Sequence, residues 1–587
     1  MVRISRRAML GGVGAGAVLA GVSAPASFAT AQTSRQFIMG AGTHFSQGAG
    51  YVPGNLEVLR EMGATALRDE TPWSAVETAR GVLRVPAEND AFIAAAVTAG
   101  IEPLIILDYG NSLYDNGERP TSDDAIAGFG RYAEFMARHF RGRVTTFEIW
   151  NEWNIPIGGV TGLGDPADYV KLLAATYPLI KAVDPGITVV GGAVAGLDPT
   201  YIGGLLDAGI LQHCDVFSVH PYIYGDLPLE RREPEVWLEH MQDLQASLRE
   251  HNDGRDFPVY VTEVGWPTQI DDRGVSQELS AAYCSRMYLL ARTLPWLKGL
   301  WWYDFQDDGW QADYNENNFG LVRADLTPKA GYHAYRSVAD VVGSGAYRRR
   351  LAADDPAWAL SFQDSHGQDV LALWNSALDD DYSIVLRSRD LHPPVTITEA
   401  GRPPVRRHWG RRAWYDDHDA PAVGNELELT TRRLPVLVSG DLSGVVVSSV
   451  TKRPFPENDR STGPCKPGPD MVVTAITAEP ASPKVGDHVV FTATVKNQGN
   501  EATPDGVITG VSFEVDYQQV AWSDTVTASI PAGGTATCRA SAGPAGSNYW
   551  TPAAAGTVQV TAIVNDIFRY PESEGTNNAT TVPLAVQ

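Results

Sequence analysis

With 587 residues and a formal net charge of −24, the chain is too long for one compact core and too acidic for nucleic acid or an anionic membrane surface. A hydrophobic share of 44% and 15 tryptophans exclude a disordered chain, and roughly two to four packed domains follow from the length. The same acidic balance disfavours a polyanionic substrate.

At the N-terminus, Ser5-Arg6-Arg7-Ala8-Met9-Leu10 precedes a Gly/Ala-rich apolar run to about Val22, and Ala29-Thr30-Ala31 offers a small-residue cleavage site. Paired arginines before a weakly hydrophobic run resemble a twin-arginine export signal, which implies a secreted, extracellular protein. The run falls short of the roughly 20 residues a membrane span needs. Residues 1–31 are therefore read as a signal peptide, with no membrane insertion.

From Phe37 onward, short apolar runs alternate with longer amphipathic ones. Strands are expected at 37–43, 64–68, 101–107, 144–150, 187–192, 215–219, 258–262 and 299–303. Helices are expected near 54–62, 88–99, 123–139, 166–183, 199–207, 234–250, 276–293 and 328–341. Asp165-Pro166 and Thr327-Pro328 each place a capping side chain before proline at a first helical position. Eight strand–helix units over residues 32–342 predict a (β/α)8 TIM barrel of the α/β class. A doubly wound sheet is the rival, but no Gly-rich phosphate loop follows the first strand.

Beyond Val342 the runs shorten and helical periodicity disappears, so residues 343–450 are read as a β-sandwich. Residues 451–469 are rich in proline and polar side chains and read as a linker. Residues 470–587 form a second, Ig-like β-sandwich. Of the four cysteines, Cys465 and Cys538 lie in this C-terminal part, where a bridge suits an oxidising exterior. Cys214 and Cys284 read as buried thiols. No Cys/His spacing suggests zinc, the run Asp379-Asp380-Asp381 reads most simply as a solvated turn with calcium binding as the lesser alternative, and no organic cofactor is implied.

Two glutamates stand out: Glu152, closing Phe147-Glu148-Ile149-Trp150-Asn151, and Glu263, closing Val259-Tyr260-Val261-Thr262. They end the fourth and seventh barrel strands, and strand ends on that face converge on one pocket. A pair of carboxyl groups is the minimum equipment for glycosidic-bond hydrolysis, one donating a proton and the other attacking or activating water. Glu148, in mid-strand, is assigned to a buried ion pair.

Trp150-Asn151-Glu152 resembles the acid/base motif of the retaining glycoside hydrolases of clan A, and Thr262-Glu263 resembles their nucleophile strand. His220-Pro221-Tyr222 and Arg68 match the same clan, with families 39 and 5 closest, and Glu263-Val264-Gly265-Trp266-Pro267 is similar to a segment of family 17. Trp153 departs from the pattern, since many members carry proline there.

The resemblance implies Glu152 as acid/base and Glu263 as nucleophile, kept ionised by Arg68 and Tyr222, with Asn151 on the sugar 2-hydroxyl. A retaining enzyme requires about 5 Å between the two carboxyl groups, whereas roughly 9 Å marks an inverting one. His44, His220 and Trp266 are expected to line the cleft. Of the neighbours Trp301 and Trp302, which face opposite ways on their strand, Trp302 is chosen as the sugar-stacking ring.

From Asp470 the chain resembles the bacterial cell-adhesion-related Ig-like domain, through Val495-Lys496-Asn497-Gln498-Gly499-Asn500 and Glu572-Ser573-Glu574-Gly575-Thr576-Asn577-Asn578. That likeness implies a spacer or a contact with a cell-wall polymer. The expected partner is a neutral polysaccharide or oligosaccharide substrate. A non-catalytic carbohydrate-binding protein and a transglycosylase are the alternatives.

Overall fold

Side chains alternate across each apolar run, and in the barrel that alternation separates an inner core from an outer one. In this computed structural model, the described residues are 37–587, apart from 226–228, 271–272, 378–380, 389–392, 410–424, 453–467, 517, 544–546, 567–568, 571 and 574–576. The barrel strands are β1 (Ile38–Gly42), β2 (Ala66–Glu70), β3 (Glu102–Leu107), β4 (Thr146–Ile149), β5 (Thr188–Ala195), β6 (Val216–His220), β7 (Val259–Val264) and β8 (Leu297–Trp302). They pair in parallel and close into a barrel, with β1 beside both β2 and β8.

Ala66, Leu104, Ile106, Val190, Val216, Tyr260 and Trp301 form a small core of their own. Their strand neighbours Leu67, Ile105, Leu107, Phe217, Val261 and Trp302 belong to a much larger core shared with the surrounding helices. Burial of each large apolar side chain contributes about 1.5–3 kcal/mol, so a slip of one residue in register would exchange the two faces. Gly40 makes room for Trp301, because a Cβ there would come within 2.1 Å of the indole ring.

The helices are α1 (Val52–Met62), α2 (Ala87–Ala99), α3 (Asp123–His139), α4 (Pro166–Val183), α5 (Pro199–Asp207), α6 (Pro234–Glu250), α7 (Gln277–Ala291) and α8 (Ala330–Ala339). Asp165 caps α4 as expected, accepting a 2.8 Å bond from the Ala167 amide with Pro166 at the first position. Thr327-Pro328 does not cap α8. The helix begins at Ala330 after Lys329, because the segment before it is drawn into a bridge between Val322 and Pro328.

Among the described residues nine further strands follow: β9 (Ala346–Arg350), β10 (Ala357–Gln363), β11 (Asp369–Asn375), β12 (Tyr382–Arg387), β13 (Val395–Glu399), β14 (Val405–Arg407), β15 (Glu426–Thr431), β16 (Val436–Gly440) and β17 (Val446–Lys452). They form sheets in the orders β9-β10-β11-β16-β13-β14 and β15-β12-β17. Alternation again divides the labour along β11. Leu371 and Leu373 face the sandwich interior with Ile384 and Val438, while Val370, Ala372 and Trp374 join the barrel's helical core.

Polar contacts fasten the same seam. Trp374 Nε1 donates to Glu235 at 2.7 Å, and Arg286 Nη2 lies 2.7 Å from Glu233, which also pairs with Arg433.

The C-terminal module contains β18 (Met471–Glu479), β19 (Val490–Asn497), β20 (Thr509–Val515), β21 (Gln518–Val526), β22 (Thr535–Arg539), β23 (Gly556–Val564) and β24 (Ala579–Val586). Its two sheets, β18-β19-β22 and β21-β20-β23-β24, enclose Met471, Phe491, Phe513 and Val564. Cys214, Cys284 and Cys538 are buried free thiols. Cys465, the other half of the bridge considered from the sequence, lies outside the described residues, as do the signal segment and Asp379-Asp380. Among the described residues no helix is long and apolar enough to cross a membrane.

Candidate active site

The chain leaves β4 through an unusual backbone. Trp150 and Glu152 adopt φ of 67° and 51°, a left-handed conformation costing about 1–3 kcal/mol each for residues with a side chain. Two hydrogen bonds hold them there: the Trp150 amide donates to the Leu107 carbonyl at 2.8 Å, and the Glu152 amide to the Ala193 carbonyl at 2.9 Å. Ala193 sits at a register shift between Gly191 and Val194 in β5, and its own amide donates to Ser218 Oγ at 2.8 Å. The bulge turns a carbonyl toward the Glu152 loop.

Arg68, on β2, is the organising cation. Nε donates to Glu148 at 2.7 Å, Nη1 to Glu263 at 2.6 Å and Nη2 to Asn151 at 2.8 Å. Glu148 is fully buried and also accepts from Ser218 Oγ at 2.7 Å, so it is the ion-pair partner the sequence suggested. Asn151 passes a further hydrogen bond to the Tyr109 hydroxyl at 2.9 Å.

Glu152 and Glu263 meet. Carboxylate oxygens of the two residues and a ring nitrogen of His220 all lie within 4.8 Å of one another. His220 Nδ1 is 2.9 Å from Glu152 and its Nε2 is 3.0 Å from Thr262 Oγ1. Tyr222 donates to Glu263 at 3.0 Å.

Burial pushes the Glu263 carboxyl upward, but the charges of His220 and Arg68, with hydrogen bonds from Tyr222 and Arg68, bring it below the usual glutamate range. Burial opposes the charged imidazole of His220, and the two glutamates outweigh it, so His220 is raised.

His44 stands at the rim, its Nε2 3.2 Å from Asp304. Burial disfavours its charge, yet Asp304, followed by Asp308, pushes it up to about 10. A hollow of about 510 Å³, lined by His44, Tyr51, Asn55, Asp304 and Asp308 among others, opens between the loops after β1 and β8.

Two tryptophans fall away from the site. Trp302 is fully buried, donates to the Phe319 carbonyl at 3.3 Å and lies 5.9 Å from Trp266, ring to ring, in the layer between barrel and helices. Trp266 is likewise fully buried and donates to the Arg232 carbonyl at 3.0 Å. Neither presents a face to a sugar. Trp301 takes the inward direction but is sealed inside the small core.

The residue missed is Tyr303. Its ring makes edge contacts with His44, Tyr222 and Phe319, and its hydroxyl donates to Glu316 at 2.8 Å. Strand alternation counted inward from Trp301 reaches Tyr303 two residues later, which was the signal available.

Trp153, the departure from the clan pattern, is a loop anchor. It packs on Trp150 and Tyr169 at 4.9 and 5.6 Å and donates to the Asp165 carbonyl at 3.1 Å.

The sequence model of the CARDB family matches residues 468–582. A β-xylosidase of Geobacillus stearothermophilus is 26% identical over 209 residues, which cover 33% of this chain and 40% of that relative's length. A family 39 glycoside hydrolase from Bacteroides cellulosilyticus WH2 superposes with a TM-score of 0.55 at 27% identity, covering 69% of this chain and 81% of the other. The chain joins a barrel of the clan A glycoside-hydrolase type to a C-terminal CARDB domain.

Proposed function

We propose that this protein is an exported retaining glycosidase acting by double displacement on a neutral polysaccharide or oligosaccharide. The observation that carries the reading is the separation of Glu152 and Glu263, within 4.8 Å between carboxylate oxygens. Retaining enzymes hold their carboxyl groups about 5–5.5 Å apart, and inverting ones leave room for a water between them.

The roles follow from surroundings. Glu263, flanked by Arg68 and a tyrosine hydroxyl, is the ionised nucleophile and bonds to the anomeric carbon as the leaving oxygen departs. Glu152 gives that oxygen its proton, then takes one from the water that displaces Glu263 and restores its carboxylate. Asn151, braced by Arg68 and Tyr109, is placed for the sugar 2-hydroxyl, a contact that strengthens as positive charge develops on the ring. Aryl β-xylosides are the first substrates to test, because the curated relative is named a β-xylosidase. The CARDB module is read as a spacer or polymer contact. Residues 1–31 are read as the export signal.

The test is chemical rescue. Glu263→Gly abolishes turnover, and added azide restores it with a glycosyl azide of inverted anomeric configuration. Glu152→Ala with azide gives the retained anomer. Rescue products of the opposite configurations, or full activity in Glu263→Gly, would overturn the assignment.

A further inference from the structure

Asp108 directly follows β3 and is fully buried, and among the described residues neither of its carboxylate oxygens has a hydrogen-bond partner. The charged and titratable groups around it are Asp69, Glu70 and Arg68 from β2, Glu148 from β4, Tyr109 beside it and Tyr132 from α3. Three of these are acids. Arg68, the cation among them, directs its Nε, Nη1 and Nη2 at Glu148, Glu263 and Asn151. An ionised carboxylate in such a place would be desolvated, without a donor and repelled by its neighbours, which is the costliest state a carboxyl group can take.

We propose that Asp108 is kept as a neutral carboxylic acid, a positioning residue whose lack of charge leaves the attraction of Arg68 to Glu263. Burial, followed by the charge of Glu70, pushes the Asp108 carboxyl well above the ordinary aspartate range. Were it ionised beside β2, a second anion would draw on Arg68 and raise the nucleophile's affinity for protons. The catalytic meaning of this inference rests on the proposed nucleophile role of Glu263. The protonation state itself is testable without turnover.

Asp108→Asn is the decisive variant, because the amide matches the shape of the neutral acid and cannot ionise. A carboxyl held protonated in the folded chain loses its proton on unfolding above about pH 3.9. The wild-type side chain therefore supports folding below that pH and loses the contribution as pH rises through its folded value.

The expected result is that the unfolding midpoint of Asp108→Asn, relative to wild type, climbs from pH 4 to pH 8 in the full-length protein. The acid limb of kcat/KM stays where it is in wild type. A variant that melts progressively lower than wild type over the same range, or whose acid limb moves downward, overturns the proposal.

Carboxyl-carbon NMR of the unsubstituted protein gives a second reading. At pH 7.5, above the values near 6 to which Asp307 and Asp308 are pushed, an aspartate resonance is expected at the protonated position that is missing from Asp108→Asn. The absence of any such resonance refutes the assignment. Failure of wild-type turnover on every glycoside would count against the glycosidase reading, whereas a stability trend of the wrong sign counts against this one.

Discussion

His220 Nδ1 stands 2.9 Å from Glu152 and 3.7 Å from Glu263, so a single buried imidazole touches both carboxylates. Thr262 fixes the opposite nitrogen at 3.0 Å. His220 therefore bridges the two glutamates, and its contact with Glu152 bears on the acid/base role proposed for that residue. Replacing His220 by glutamine should lower kcat/KM about 10- to 100-fold, the worth of one hydrogen bond to a charged group. The loss should shrink for nitrophenyl glycosides, whose leaving groups need little protonation. Rates across a series of leaving groups check this, and an equal loss across the series would count against it.

The Tyr222 hydroxyl supplies one of the contacts that hold Glu263 below the usual glutamate range. A depressed carboxyl keeps its charge, and its share of stability, above its ordinary pKa and loses both as pH falls through the folded value. Activity should therefore persist below about pH 4, the ordinary glutamate range. Tyr222→Phe should move the acid limb of the kcat/KM profile upward. An unmoved limb would remove Tyr222 from this role.

Arg68 should behave differently, because it also neutralises the fully buried Glu148. Arg68→Met leaves Glu148 and Glu263 without their cation, and breaking a buried pair in this way costs about 3–5 kcal/mol. The expected outcome is a protein destabilised by that amount in denaturant titrations, with turnover lost. Additional substitution of Glu148 by glutamine should recover part of the stability and none of the turnover.

Tyr303 and Trp302 are adjacent and should separate by phenotype. Tyr303 lies among the cleft aromatics, so Tyr303→Ala should raise KM with a small effect on folding. Trp302 is fully buried against Trp266, and Trp302→Ala should cost about 3–5 kcal/mol of stability by opening a cavity. Steady-state kinetics and thermal melts on both variants decide the matter.

Removal of residues 453–587 should leave a folded, active protein, because the barrel and first sandwich share one continuous core. A cut after Val342 should instead aggregate. It strips the cover that Phe362, Val370, Trp374 and Leu437 provide to the helical layer. Size-exclusion chromatography of the two truncations distinguishes these outcomes.

The barrel was legible because its runs keep strict period: β3 was expected at 101–107 and is found at Glu102–Leu107. Glu152 and Glu263 could be brought together from strand order, since strand ends on one face of a barrel converge, whereas Arg68, Asn151, His220 and Tyr222 entered through the resemblance to clan A. Trp302 could not be placed correctly without knowing which of two neighbours turns inward. Gly40 settles that choice by leaving space for Trp301 alone, a relation between strands distant in sequence. The donor-free state of Asp108 was equally hidden, for it depends on Arg68 having spent its hydrogen bonds elsewhere.

The left-handed turn at Glu152 has a consequence for engineering. Glycine tolerates that backbone without strain, whereas glutamate is held in it by the Ala193 carbonyl. An inactive Glu152→Gly protein is therefore expected to melt above its parent, while Glu152→Ala, still strained, gains less. Directed selection for heat resistance alone would drift toward silence at this position, so any such campaign must keep turnover in its screen.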